Sequence, residues 1–318
     1  MMYFWLILGL ATLIFGGEIL VRGAVGIAKK AHISTLVIGM TVISFGTSAP
    51  ELFVSIDAAM DGKPDIAIGN VIGSNIANLA LVLGITVLIF PVMAGRNSKR
   101  IDWPMMMLAT LLFYVFALDN VLVFWEGAVL FTILIGFTFY LIRNSRRTIK
   151  KEKDQETGEF DEIAEIKDNI WISLGLTLAG LVALYFGAGW LVDGAVQIAE
   201  SFGMEERIIG VTVVAFGTSV PELVTSAVAA FKKESDISIG NLIGSNIFNI
   251  MAVLGITAMV HPIHVAPAAM SFDMWWMIGI AAALLPIMLI GKKVGRIHGA
   301  ILFATYVIYI ALLIAAMK

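Results

Sequence analysis

The chain has 318 residues, 59% hydrophobic and 14% charged, with a net charge of −3 and no cysteine. Apolar runs of about 20 residues recur along nearly its whole length, each enough to cross the hydrocarbon of a bilayer. The composition gives an all-α polytopic membrane protein and excludes disulfides and thiolate metal ligands, and the two-residue alternation of a transmembrane barrel is absent.

In chain order the predicted spans are 3–28, 35–60, 66–91, 103–119, 121–142, 170–199, 208–231, 237–261, 272–291 and 297–316. The first run, Tyr3–Ala28, lacks a basic leader and a small-residue cleavage site, so it reads as a span and not as a signal peptide. The long polar stretch Arg143–Asp168 carries seven Lys/Arg and eight Asp/Glu, and reads as a solvated linker, part of it helical. The expected organisation is a first five-helix repeat over 1–142, a linker over 143–169 and a second repeat over 170–318. Lys29, Lys30, Arg96, Lys99, Arg100, the linker, Lys232, Lys233, Lys292, Lys293 and Arg296 share one side, while Lys63, Arg207 and Lys318 share the other. The positive-inside rule makes the first side cytoplasmic and puts both termini outside.

The two halves say the same thing. Phe45–Ser55 (FGTSAPELFVS) returns as Phe216–Ser226 (FGTSVPELVTS), and Asp65–Thr86 (DIAIGNVIGSNIANLALVLGIT) as Asp236–Thr257 (DISIGNLIGSNIFNIMAVLGIT), both at an offset of 171 residues. Because five spans is an odd number, the second half enters the membrane inverted. Inverted repeats place a shared site near the midplane, which is the architecture of a secondary transporter.

Each copy puts a glutamate, Glu51 or Glu222, after a proline inside an apolar segment. Proline removes one N–H and displaces the carbonyl four residues back, and freed carbonyls inside a membrane need a partner. Thr47 and Ser48, and Thr218 and Ser219, add hydroxyls beside the two carboxylates. Ser74 and Asn78 share one helix face, as do Ser245 and Asn249. This all-oxygen set suits Ca²⁺, which takes roughly 6–8 oxygen ligands, and it holds no imidazole or thiolate for zinc or copper. Two ionised glutamates carry a charge that one Ca²⁺ neutralises, or Na⁺ or protons in its place, so the site favours obligatory exchange. A single copy of either motif would suit a kinked or closely packed helix equally well; two copies in inverted halves do not.

These residues resemble the α-repeats of the sodium/calcium exchanger family, within the calcium:cation antiporters, over nearly the whole chain. The resemblance implies four ion sites between the second, third, seventh and eighth spans, taking Na⁺ and Ca²⁺ as transported substrates with no resident cofactor. It implies ligands at Glu51, Glu222, Thr47, Ser48, Thr218, Ser219, Ser74, Asn78, Ser245 and Asn249, and at the carbonyls of Ser44 and Ala215. It also implies a sliding of the first and sixth spans. Some relatives carry aspartate where this chain has Asn249, which speaks against potassium co-transport. The proton-coupled branch's GNAxE-like signature is absent.

The expected function is Na⁺/Ca²⁺ antiport by a monomer in the cell membrane. A proton/calcium antiporter or a cation channel are the alternatives, and no nucleophile–base pair suggests an enzyme. Glu18 and Arg22 form an expected helix pair, with Asp193 a repeat-related candidate partner for Arg22. Asp57, Asp61, Asp65, Asp119, Glu126, Glu200, Glu205, Glu206 and Asp273 would form an acidic outer mouth or simply solvated loops. His261 and His264 read as loop residues.

Overall fold

The computed structural model describes residues 2–155, 169–201, 215–290 and 293–316. Predicted features at 156–168 and 202–214, with Lys292 and Lys318, lie outside the described residues. Helices dominate: α1 (Met2–Ala31), α2 (Thr35–Thr47), α3 (Ala49–Met60), α4 (Pro64–Ile89), α5 (Ser98–Asp119), α6 (Phe124–Gln155), α7 (Ile170–Ser201), α8 (Ala215–Thr218), α9 (Val220–Phe231), α10 (Ser235–Val260), α11 (Ala269–Leu289) and α12 (Arg296–Ala316). Eight of them are long and apolar enough to cross a membrane, and α2 with α3, bent by 44°, make a ninth. The span expected at 208–231 is described only as α8 and the short apolar α9, so ten complete crossings are not seen among the described residues.

The repeat written in the sequence recurs in the hydrogen bonding. Helix α3 ends with Lys63 N donating to Ala58 O at 2.8 Å and Gly62 N to Ala59 O at 3.2 Å; α9 ends with Glu234 N donating to Ala229 O at 2.8 Å and Lys233 N to Ala230 O at 3.1 Å. This is one Schellman stop used twice, with its left-handed residue at Gly62 (φ 71°) and at Lys233 (φ 65°). The offset runs on past Thr86 and Thr257. Helices α5 and α11 both open with a π-helical turn, Ser98–Asp102 and Ala269–Asp273. Short antiparallel pairings, β1 (Val121–Leu122) with β2 (Ile263–His264) and Val92 with Val294, tie the two halves together.

Helices α4 and α10 are the most buried of the long helices, and the core gathers round them. Outside them α1 and α7 pack along each other through glycines: a Cβ at Gly180 would lie 2.7 Å from the Leu20 Cβ and backbone N, so the backbones meet without side chains between them. The outward faces of α1, α6, α7 and α12 expose Phe4, Ile14, Phe139, Trp171, Tyr185 and Val307, an apolar surface suited to lipid. Helix α6 continues to Gln155, so the start of the expected linker is helical.

Candidate functional site

The break between α2 and α3 falls at Ser48 (φ −92°, ψ 6°), and that between α8 and α9 at Ser219 (φ −89°, ψ 0°). In both, proline takes the first turn of the following helix, where its missing N–H costs nothing, and the glutamate follows it. The fold brings the two breaks together. Glu51 and Glu222 are 1% and 0% exposed and lie within each other's electrostatic reach. The Ser48 hydroxyl donates across to Glu222 Oε1 at 3.2 Å, while Oε2 of each glutamate is buried without a partner.

Helix α3 packs on the π-helical turn Asn249–Leu254 of α10, and α9 on the turn Ala77–Val82 of α4. Those turns carry the two amides. Both side-chain atoms of Asn78 and both of Asn249 are buried and unpartnered, as are the hydroxyls of Ser219 and Ser245. Ser74 lines a cavity of about 570 Å³ that also reaches Asp65, Asn70, Thr218, Asp273 and Tyr309. Thr218 also borders a second cavity of about 410 Å³, beside Pro50, Trp190, Asp193 and Pro221. The Ser44 carbonyl accepts from Ser48 N at 3.0 Å and Thr47 Oγ1 at 3.5 Å, and its hydroxyl donates to Gly39 O at 2.7 Å and Asn241 O at 3.0 Å. Ala215 opens α8, directly after the undescribed residues. Eleven of the twelve expected positions therefore meet around the two breaks or border the cavity that reaches them, while the surroundings of Ala215 are described only on its C-terminal side.

Two further amides hold the arrangement. Asn70 Nδ2 donates to Glu51 O at 3.1 Å and Ser55 Oγ at 3.0 Å. Asn241 Nδ2 donates to Glu222 O at 3.5 Å and Ser226 Oγ at 3.0 Å, and its Oδ1 accepts from Thr47 Oγ1 at 3.3 Å. Each amide ties a glutamate-bearing helix to its neighbour, and Asn241 also joins the two halves. Both stand inside the repeated GNxxGSN string, and their recurrence at the common offset was the signal that would have found them.

The structure refines the reading of the remaining charged residues and corrects it at Asp193 and Glu126. Arg22 pairs with Glu18 at 3.0 Å, but Glu18 is also bridged by Lys232 from the end of α9 at 3.2 Å, and the exposed Asp193 takes no part in that cluster. Glu126 is not an outer-mouth charge: it is buried and accepts from Val123 N at 2.9 Å, closing the first turn of α6. His261 turns its Nδ1 onto Pro262 O, and no group of three His, Cys, Asp or Glu gathers to hold a metal among the described residues.

The profile of the family described as "Sodium/calcium exchanger protein" matches residues 1–143 and 172–315. CaxA of Alkalimonas amylolytica is 37% identical over 316 residues, covering 98% of both chains. The sodium/calcium exchanger MaX1 of Methanosarcina acetivorans is 32% identical over 339 residues, covering 97% of both. Among solved structures, the sodium-calcium exchanger NCX_Mj soaked with zero Na⁺ and Ca²⁺ superposes with a TM-score of 0.83 at 31% identity, covering 98% of both chains. The apolar helices, the doubled breaks and these likenesses agree, and the chain belongs to the sodium/calcium exchanger family of multi-pass membrane proteins.

Proposed function

We propose that this chain is a secondary active antiporter that exchanges Na⁺ for Ca²⁺ by alternating access. The ions bind between the two helix breaks, at Glu51, Glu222, Thr47, Ser48, Thr218, Ser219, Ser74, Asn78, Ser245 and Asn249, with the carbonyls of Ser44 and Ala215. The observation that carries this is the pair of buried glutamates, one from each half, each with an oxygen that no group among the described residues satisfies. Two facing carboxylates in hydrocarbon are costly unless a cation or protons neutralise them. A site that is never left charged as it crosses the barrier couples one ion's outward passage to another's inward passage.

The chain is read as ten spans in two inverted five-helix repeats, 1–142 and 170–318, joined by a cytoplasmic linker, with both termini outside and a monomer as the working unit. The offset that runs through the helix stops and the amide bonds supports this reading. The names of MaX1 and NCX_Mj support Na⁺ as the coupling ion.

The test is ⁴⁵Ca²⁺ uptake into proteoliposomes loaded with Na⁺ and diluted into choline medium, with and without a pH gradient. Uptake that requires internal Na⁺ and ignores the gradient is the expected result. Uptake that follows the gradient makes the coupling ion a proton, and flux without a counter-ion makes the protein a channel. Glu51→Gln and Glu222→Gln are expected to fold and to lose uptake; normal uptake by either would sink the site.

A further inference from the structure

Four aspartates lie outside the site just described, and the 171-residue offset sorts them into two matched pairs: Asp65 corresponds to Asp236, and Asp102 to Asp273. Asp65 and Asp236 stand in the first turns of α4 and α10, exposed. Asp102 and Asp273 close the π-helical turns that open α5 and α11. The offset thus places the same construction at two places in the fold, an exposed aspartate on one helix and a recessed one on another.

The ordinary role for Asp102 and Asp273 would be to cap the helix that follows. Neither does: each stands where its π turn passes into the α-helical part of α5 or α11, and neither side chain caps that part. Asp102 is 0% exposed, and neither of its carboxylate oxygens has a partner. The turn Ser98–Asp102 packs against α10, whose first turn carries Asp236. The Ser98 hydroxyl, one turn earlier, is buried on the same side and is the protein group nearest to answering the Asp102 carboxylate. None of the ion pairs seen among the described residues involves these aspartates, although Lys99 and Arg100 adjoin Asp102 in the chain. A carboxylate buried in this way is neutralised either by a proton or by a cation, and a cation is also drawn by the second carboxylate on α10.

The equivalent pair is arranged differently. Asp65 and Asp273 line the cavity of about 570 Å³ that runs to Asn70, Ser74 and Thr218, and Asp273 accepts a hydrogen bond from the Tyr309 hydroxyl at 2.9 Å. One pair borders a cavity that runs to the central residues, and in the other the recessed aspartate is fully buried.

We propose that Asp102 with Asp236, and Asp273 with Asp65, are matched mouth sites that hold a Ca²⁺ or Na⁺ ion in transit, one pair for each face of the membrane. The sites rest on the antiporter reading for their purpose, but their occupancy does not depend on it. An ion drawn from solution meets the exposed aspartate first, then the recessed one, and then the central oxygens.

Two measurements test this. The first uses Tb³⁺, a hard cation whose emission a nearby tryptophan sensitises, on the purified full-length Glu51→Gln/Glu222→Gln protein, with Trp103 next to Asp102 as the donor. Sensitised emission is expected, reduced by Asp102→Asn and by Asp236→Asn and retained in Asp102→Glu; emission unchanged by both asparagine variants overturns the Asp102–Asp236 site. The second is sided ⁴⁵Ca²⁺ uptake in oriented proteoliposomes. Asp102→Asn and Asp236→Asn are expected to raise the half-saturating Ca²⁺ about threefold or more from the face bearing Lys99 and Arg100 alone, and Asp65→Asn and Asp273→Asn from the opposite face alone. Equal effects on both faces, or none, overturn the pairing. If the Glu51→Gln/Glu222→Gln protein transports normally, the central site fails while the Tb³⁺ result still decides the mouth site.

Discussion

Asn70 and Asn241 are equivalent in sequence and unequal in surroundings, which gives a prediction with a built-in control. Asn241 is buried, donates at 3.0 Å to Ser226 Oγ and accepts at 3.3 Å from Thr47 Oγ1 of the other half; its 3.5 Å contact with Glu222 O is at the limit of a hydrogen bond. Asn241→Ala removes two hydrogen bonds of about 0.5–1.5 kcal/mol each and strands buried hydroxyls, for a loss of about 2–3 kcal/mol. Asn70 makes two bonds as well, but it borders the cavity, where water replaces a lost partner, so Asn70→Ala is expected to cost about 1 kcal/mol or less. At about 2 °C per kcal/mol for a chain of this size, the apparent unfolding midpoint in detergent falls by about 4–6 °C for Asn241→Ala and about 2 °C for Asn70→Ala. Midpoints are compared at one scan rate in Ca²⁺-free buffer, because membrane proteins unfold irreversibly. A cycle with Thr47→Val isolates the bond between halves and is expected to show about 1 kcal/mol of coupling with Asn241→Ala. Equal losses for the two alanine variants, or additivity in the cycle, would refute the reasoning.

Lys233 holds the left-handed stop that Gly62 holds in the other half, so Lys233→Gly is expected to stabilise by about 0.5–1 kcal/mol, read as a higher unfolding midpoint, while Gly62→Ala lowers it. Gly180→Val puts a branched side chain where even a Cβ meets the Leu20 backbone, and is expected to disrupt the packing of α1 on α7 and abolish uptake at normal expression. Glu18→Gln breaks a solvent-screened bridge to Lys232; a small drop in midpoint is expected at low salt, and none in molar salt. Glu126→Ala removes the acceptor that closes the first turn of α6, for an expected loss of about 1 kcal/mol in the same assay.

Most of the arrangement around the two breaks was legible because polar residues inside apolar helices are few, and the duplication marks which of them matter. Proline and glycine announced the breaks, and the structure puts them at Ser48 and Ser219. What escaped is of two kinds. Helix ends moved where hydropathy and helicity part company. Helix α6 runs past 142 because Arg and Lys are good helix formers whatever their cost in lipid, and α5 starts at Ser98, ahead of the expected 103, because buried Asp102 lies inside its opening turn. Long-range polar pairing also escaped. Nothing in the local sequence joins Glu18 to Lys232, or Thr47 to Asn241, and only the packing of α1 against α9 and α2 against α10 creates those bonds.

The distribution of unsatisfied polar atoms is the physical thread that joins these elements. Some hydroxyls in the outer apolar helices are answered by their own backbone, as Thr110 is by Met106 O at 2.9 Å and Thr177 by Ser173 O at 2.9 Å, whereas Thr86, Thr225, Ser238 and Thr257 on the inner helices are buried without a partner. Such bonds keep a polar side chain in lipid without demanding a partner. Between the halves that economy is abandoned. Glu51, Glu222, Asn78, Asn249, Ser219 and Ser245 all keep buried atoms free, and Asn70 and Asn241 spend their own bonding on positioning the glutamate helices. Native proteins leave few buried polar groups unpaired, so a concentration of them on two repeat-related breaks is a cost that something outside the chain must offset. A cation does so for carboxylate, amide carbonyl and hydroxyl together, whereas a proton serves the carboxylates alone and leaves the amide and hydroxyl oxygens unanswered. That difference supports the proposal of Na⁺ over H⁺ as the ion that replaces Ca²⁺, and the pH-gradient arm of the uptake assay decides between them.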